Sequence, residues 1–221
     1  MPGSTGVKMG FMATAPTTSA RPYGGVDAAD RVATRRARLL EAGLDLLGSG
    51  DTAELTVRGV CRQAGVAARF FYESFTDKDE FVGAVFDRVI AGLAATTQAA
   101  VAAAPPEEQT RAGMANIVRT IGGDRRVGRL LFSAQLANAV LVRKRVESSA
   151  LFAMLSGRHV ENALRVPEND QITAAAHFVV GGVAQTISAW LAGDVRLDPD
   201  QLVDQLTSLL TELANPSLYR D

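Results

Sequence analysis

The sequence predicts an all-α protein, and three observations carry that expectation. No proline falls between Pro22 and Pro105, while Pro105, Pro106, Pro167, Pro199 and Pro216 stand between apolar-periodic stretches, where helices begin or stop. Alanine and leucine dominate the long segments, which favours helix in every register. Short alternating runs of β-branched residues bounded by turns, the mark of strands, are nearly absent.

Taken in order, residues 1–28 read as a disordered tail, because its first 26 or so residues are rich in Gly, Pro, Ser and Thr without apolar periodicity. Helices are then expected near 29–48, 57–64, 68–74, 77–103, 106–121, 124–134, 138–165, 168–192 and 199–214. Asp77, Asp79 and Glu80 sit where anions favour a helix N-terminus, and the helix after them runs roughly 40 Å at 1.5 Å per residue. A helix of that length connects two parts, so a domain boundary is placed at 76/77. The segment near 168–192 has apolar groups on two sides, Ala174, Phe178 and Gly181 on one and Val180, Val183, Ile187 and Trp190 on the other. Glycine inside a helix costs about 1 kcal/mol relative to alanine, so Gly181 and Gly182 call for the close approach of another helix, which self-association supplies.

Composition narrows the function. With 221 residues, 47% apolar and 21% charged, and a mean hydropathy of +0.08, the chain has a globular composition with one or two cores. Cys61 is the single cysteine, which excludes an internal disulfide framework, and two histidines leave little material for a zinc site. No metal, cofactor or catalytic residue is expected. No uninterrupted run reaches the roughly 18 apolar residues of a membrane span, and the first residues lack the basic start and apolar stretch of a signal peptide, so a cytoplasmic location without a membrane partner is expected. G-x-S-x-G, P-loop, H-E-x-x-H and dinucleotide fingerprints are absent from the sequence, which sets the enzyme reading aside.

Residues 56–75, TVRGVCRQAGVAARFFYESF, have the layout of a helix-turn-helix. Thr56 caps the first helix, Val60, Cys61 and Ala64 give its inner face, Gly65 permits the left-handed turn, and Val66 and Phe71 hold the second helix against the first. Cys61 is read as a packing residue where only a small side chain lets the helices cross. Arg31, Arg35 and Arg38 recur at helical spacing on one face, yet between Asp30 and Glu80 eight basic side chains meet nine acids. The segment is no basic block, and any contact with nucleic acid rests on where its charges stand.

From Arg31 to about Phe86 the sequence resembles the DNA-binding domain of TetR-family transcriptional regulators. The resemblance rests on Arg36 to Gly43 in the first helix, Thr56-Val57-Arg58 through Gly65-Val66 in the second, and Phe71-Tyr72-Glu73-Ser74-Phe75 followed by Lys78 and Phe81. It departs at Ala67, where a capping serine is common, and in the paired aromatic residues Phe70 and Phe71. It implies an N-terminal three-helix domain that binds a double-stranded DNA operator, followed by a C-terminal helical domain for ligand binding and dimerisation. The candidate DNA contacts are Thr56, Arg58, Ala68, Arg69, Phe70, Tyr72 and Lys78. Of these, Arg69 is suited to fork onto guanine, Phe70 to touch a thymine methyl, and Tyr72 and Lys78 to hold phosphates.

The same resemblance implies a homodimer through the helices near 168–192 and 199–214, and a repressor released by a small-molecule effector. Large apolar groups in the segments that line such cavities are Phe86, Met114, Ile117, Phe132, Phe152 and Trp190, with Gln135, Asn138, His159 and His177 as polar anchors; their composition suits a hydrophobic or aromatic effector. A helical regulator answering to a protein partner instead is the alternative.

Overall fold

The computed structural model describes residues 25–49, 55–133, 136, 138–164 and 169–215, with backbone alone for 25–27 and 159–164. Among these residues every regular element is helical: α1 (Gly25–Gly48), α2 (Val57–Ala64), α3 (Ala68–Tyr72), α4 (Lys78–Ala103), α5 (Gln109–Gly123), α6 (Arg125–Phe132), α7 (Ala139–Leu164), α8 (Asp170–Ala192) and α9 (Pro199–Leu213), with a 3-10 turn at Pro106–Glu108. The tail, Gln135 and the side chain of His159 lie outside the described residues.

Two of the boundaries that depart from expectation lie in the N-terminal helices. α1 begins at Gly25, inside the stretch read as tail. α3 ends at Tyr72, because the amides of Ser74 and Phe75 both turn back to the Phe71 carbonyl at 2.9 Å and close the helix there.

The ends are set locally. Thr56 Oγ1 accepts from the Gly59 amide at 3.1 Å, and Gly65 ends α2 at φ +63°, a conformation that any side chain would strain. Asp77 caps α4 by accepting from the Glu80 amide at 2.8 Å, while Glu80 Oε2 accepts from the Thr76 amide at 2.6 Å and is thereby held below its ordinary pKa. Asp198 and Gln201 form a reciprocal capping box ahead of Pro199. Asn138 Oδ1 accepts from the Val140 amide at 2.9 Å, so this expected polar anchor serves to start α7.

Helices α1 to α3 pack on the start of α4 through a phenylalanine cluster. Phe71, Phe75 and Phe81 are buried with ring centroids 5.1–5.4 Å apart. α1 crosses α4 closely at Gly43, where a Cβ would stand 2.6 Å from Phe81 Cζ and from Val85 Cγ2.

The rest of the chain packs α5 between α4 and α9, and α7 against both α4 and α8. Asn116 on α5 is buried, and its amide donates to Thr96 Oγ1 at 3.0 Å and Thr97 Oγ1 at 2.9 Å. Arg145 on α7 donates through Nη2 to the Leu130 carbonyl at 2.7 Å, and burial depresses its pKa.

α6 joins the two halves. Arg126 donates to Glu41 at 3.0 Å and to Asp45, both on α1, and to its own cap Asp124 at 2.7 Å. Arg129 donates to the Gly48 and Ser49 carbonyls at the end of α1, which has no basic residue in its own last turn. The hydrogen bonds of Arg126 hold Asp124 below its ordinary pKa and raise the guanidinium above its own.

α8 corrects the run-length expectation for membrane spans. By length and composition it is long and apolar enough to cross one, with a mean hydropathy of 1.3 over an 18-residue window of which 17% is buried. The run-length reading missed it because Thr173, His177, Gln185, Thr186 and Ser188 interrupt the apolar residues without adding charge. Gly181 and Gly182 have nothing among the described residues within 4 Å of where a Cβ would stand.

Candidate nucleic-acid interface

The recognition segment is built from the inside out. Phe71, fully buried, anchors α3 on the phenylalanine cluster, which turns the neighbouring positions outward. Ala68, Arg69 and Tyr72 are exposed, Tyr72 by 63%, its ring lying edge-on to Phe71 at 5.4 Å. Thr56 and Arg58 are exposed at the start of α2, and Lys78, the first residue of α4, is half-buried. Thr56 Oγ1 accepts the Gly59 amide, which leaves its hydroxyl proton to donate. Ala67, extended at φ −73° and ψ 147°, provides no side-chain cap to α3.

Phe70 is held differently from its neighbours. It is half-buried, with the Arg35 guanidinium 4.2 Å from its ring centroid and that of Arg69 4.7 Å away. Arg35 also reaches Glu73 at 3.9 Å. Arg36 lies 5.0 Å over Phe75, and Arg38 Nη2 stands 2.8 Å from where a Gly65 Cβ would be. Three arginines of α1 thus reach the recognition helix, its exit and the turn before it. Sequence reasoning saw the periodic arginines as a charged face; the i, i+3 spacing of Arg35 and Arg38 was the signal for this bracing role.

Cys61 is buried in the core, and burial raises its thiol pKa, which agrees with packing rather than reactivity. Among the described residues no group of three His, Cys, Asp or Glu side chains stands where it could hold a metal ion.

The expected effector residues are dispersed. Phe86 is fully buried in the core, while Met114, Ile117, Phe132 and Phe152 are half-buried on α5, α6 and α7. Trp190 packs over Gly122 and donates through Nε1 to the Leu197 carbonyl at 2.9 Å, which fastens the loop after α8. His177 is exposed. A half-open groove of about 230 Å³ lies elsewhere, between α1, α4, α5 and α6, and none of these residues lines it.

Residues 39–85 match the family model described as bacterial regulatory proteins, tetR family. No curated protein matches the sequence. Solved structures share the fold. A TetR-like transcriptional regulator from Rhodococcus sp. RHA1 is 19% identical with a TM-score of 0.59, over 85% of this chain and 97% of that one. The fatty acid degradation regulator FadR from Bacillus halodurans is 18% identical with a TM-score of 0.64, over 79% and 96%. FadR from Bacillus subtilis, solved in complex with stearoyl-CoA, is 17% identical with a TM-score of 0.58, over 79% and 96%. The capped α2, the left-handed turn at Gly65 and the buried Phe71 fall within residues 39–85 and build the helix-turn-helix that the family model of bacterial regulatory proteins matches.

Proposed function

We propose that the chain is a dimeric repressor, released from its operator by a small hydrophobic or aromatic effector. Residues 29–76 read DNA and 77–221 regulate. The reading is supported above all by α3, which turns Ala68, Arg69 and Tyr72 outward from a rigid phenylalanine anchor. In this role Arg69 forks onto a base edge, Phe70 sets the adjacent apolar contact, and Thr56, Arg58, Tyr72 and Lys78 hold phosphates that fix the register.

Dimerisation through α8 and α9 is supported by the α8 face that carries Ala174, Phe178, Gly181, Gly182 and Gln185. All five are exposed, Phe178 by 68%, and the two glycines leave room for a second helix to approach closely. Two copies joined there place their recognition helices on successive major grooves, about 34–36 Å apart. Covering α8 in this way also accounts for its apolar composition without a membrane, in keeping with a cytoplasmic protein. The stearoyl-CoA bound by the Bacillus subtilis relative supports an apolar effector as the releasing signal. No catalytic step belongs to this function.

The test is fluorescence anisotropy on duplex DNA from immediately upstream of the chain's own gene, against a scrambled competitor and across salt. Tight binding that survives the competitor is expected. Binding equal to that of the scrambled duplex, vanishing with salt, overturns operator recognition at that site.

A further inference from the structure

Arg69, the side chain placed to read a base, stands one helical turn before an acid. The Glu73 amide donates to the Arg69 carbonyl at 3.1 Å, which sets the two side chains at the i, i+4 spacing where arginine and glutamate pair. That pair is not made. The Glu73 carboxylate lies 3.9 Å from the Arg35 guanidinium of α1 instead, and among the described residues Arg69 has no ion pair. The Arg69 guanidinium rests 4.7 Å from the centroid of the Phe70 ring, the same ring that Arg35 approaches to 4.2 Å.

We propose that Arg35 is a positioning residue for base readout: it draws Glu73 away from Arg69 and steadies the Phe70 ring on which the Arg69 guanidinium stacks. The inference rests on the reading of Arg69 as the base-contacting side chain and adds what keeps that side chain available. A planar guanidinium stacked on an aromatic ring still presents its N–H donors at its edge, so the stacking orients Arg69 without using the fork that guanine takes. A side chain held before contact also loses less rotamer freedom on binding. An unclaimed carboxylate one turn away does the reverse. It folds the guanidinium back along the helix through a charge-assisted hydrogen bond and sets a negative charge beside the DNA phosphates.

Placement singles out Arg35 among the arginines of α1. Arg36 lies over Phe75, Arg38 stands at the Gly65 turn, and Arg31 is exposed with no ion pair among the described residues. The Arg35 side chain is 25% exposed against 51% for Glu73, so the cation is the more fixed member of the pair and the acid comes to it. Phe71, fully buried, holds the backbone from which both Phe70 and Arg69 leave. The arrangement needs α1 to cross α3 at this one turn, which no spacing within α3 specifies.

The experiment enriches a randomised duplex library on the full chain, then measures anisotropy of Arg35→Ala, the double variant Arg35→Ala with Glu73→Gln, and Arg31→Ala on the enriched duplex and its single-base variants. Arg35→Ala is expected to bind about threefold to fivefold more weakly and to lose discrimination at the base position that Arg69→Ala relaxes, with the other positions kept. Adding Glu73→Gln should recover about twofold in affinity, because no carboxylate then competes for Arg69. Arg31→Ala, which removes the same charge one turn away on α1, keeps its discrimination. A loss spread evenly over all positions in Arg35→Ala, no recovery in the double variant, or the same loss of discrimination in Arg31→Ala would overturn the proposal. A second readout needs no DNA. The Arg69 Nε–H resonance, assigned through Arg69→Lys, is expected to carry the Phe70 ring-current shift in the parent and to lose it in Arg35→Ala; an unmoved resonance overturns the positioning. If the parent enriches no duplex, the DNA reading fails and the resonance still decides what Arg35 does to Arg69.

Discussion

The guanidinium of Arg35 lies 4.2 Å from the centroid of the Phe70 ring, so the first helix holds a side chain of the recognition helix in place. Phe70 is the first of two adjacent phenylalanines that diverge in fate: Phe71 is buried as an anchor, whereas Phe70 is kept half-exposed beside a cation from another helix. Cation–π contacts at such half-exposed sites contribute about 0.5–1 kcal/mol. Arg35→Ala is therefore expected to lower urea-unfolding stability by about that much, and Arg35→Lys to restore part of it. Equal stability of Arg35→Ala and the parent would show that the stacking contributes nothing.

Arg69 carries the base-reading expectation. Its replacement by alanine should weaken binding to the true operator by roughly 1–3 kcal/mol and relax sequence preference at one position. Competition with single-base operator variants measures this, and unchanged discrimination removes Arg69 from base readout.

Lys78 begins α4 and is assigned to a phosphate. Lys78→Ala should weaken all duplexes alike and reduce the slope of log affinity against log salt by about one. An unaltered slope refutes the phosphate contact.

The Arg126 junction predicts a pH effect. Hydrogen bonds from Arg126 keep Asp124 below its ordinary pKa in the folded protein. A carboxylate depressed on folding contributes stability that is present above its unfolded pKa and lost as pH falls through the folded one. Stability should thus decline as pH drops below about 4, and Asp124→Asn should flatten that decline in unfolding curves between pH 5 and 2. Glu80, also depressed by the Thr76 amide, adds a share that Asp124→Asn leaves in place.

Phe178 tests the proposed dimer. Phe178→Glu places a charge on the exposed α8 face and should give a one-chain hydrodynamic mass at micromolar concentration, with operator affinity falling tenfold or more. A two-chain mass in that variant would move the interface elsewhere.

The order and length of the helices were legible in the sequence because they depend on local chemistry. Proline punctuation, the caps Thr56, Asp77 and Asp198, and the left-handed Gly65 act within a few residues of themselves, and the helix-turn-helix repeats a fixed spacing. Where the reading failed locally, at the early start of α1 and the early end of α3, the signals were weak: a glycine-rich approach to one helix and an uncapped five-residue turn in the other.

The arrangement beyond α3 took its form only in three dimensions. Trp190 resembled a pocket residue in composition, yet its ring fills the space over Gly122 and its Nε1–H is taken by the Leu197 carbonyl. Asn138 resembled a polar anchor and is a helix cap. Arg126, unremarked in the sequence, brings together Glu41, Asp45 and Asp124. The groove draws its walls from Leu40, Val89, Thr120 and Val127, residues that share no local pattern. Hydrogen bonds within one turn are written in adjacent residues, whereas a groove and an ion network are made where separate helices cross, and those crossings depend on which faces pack together.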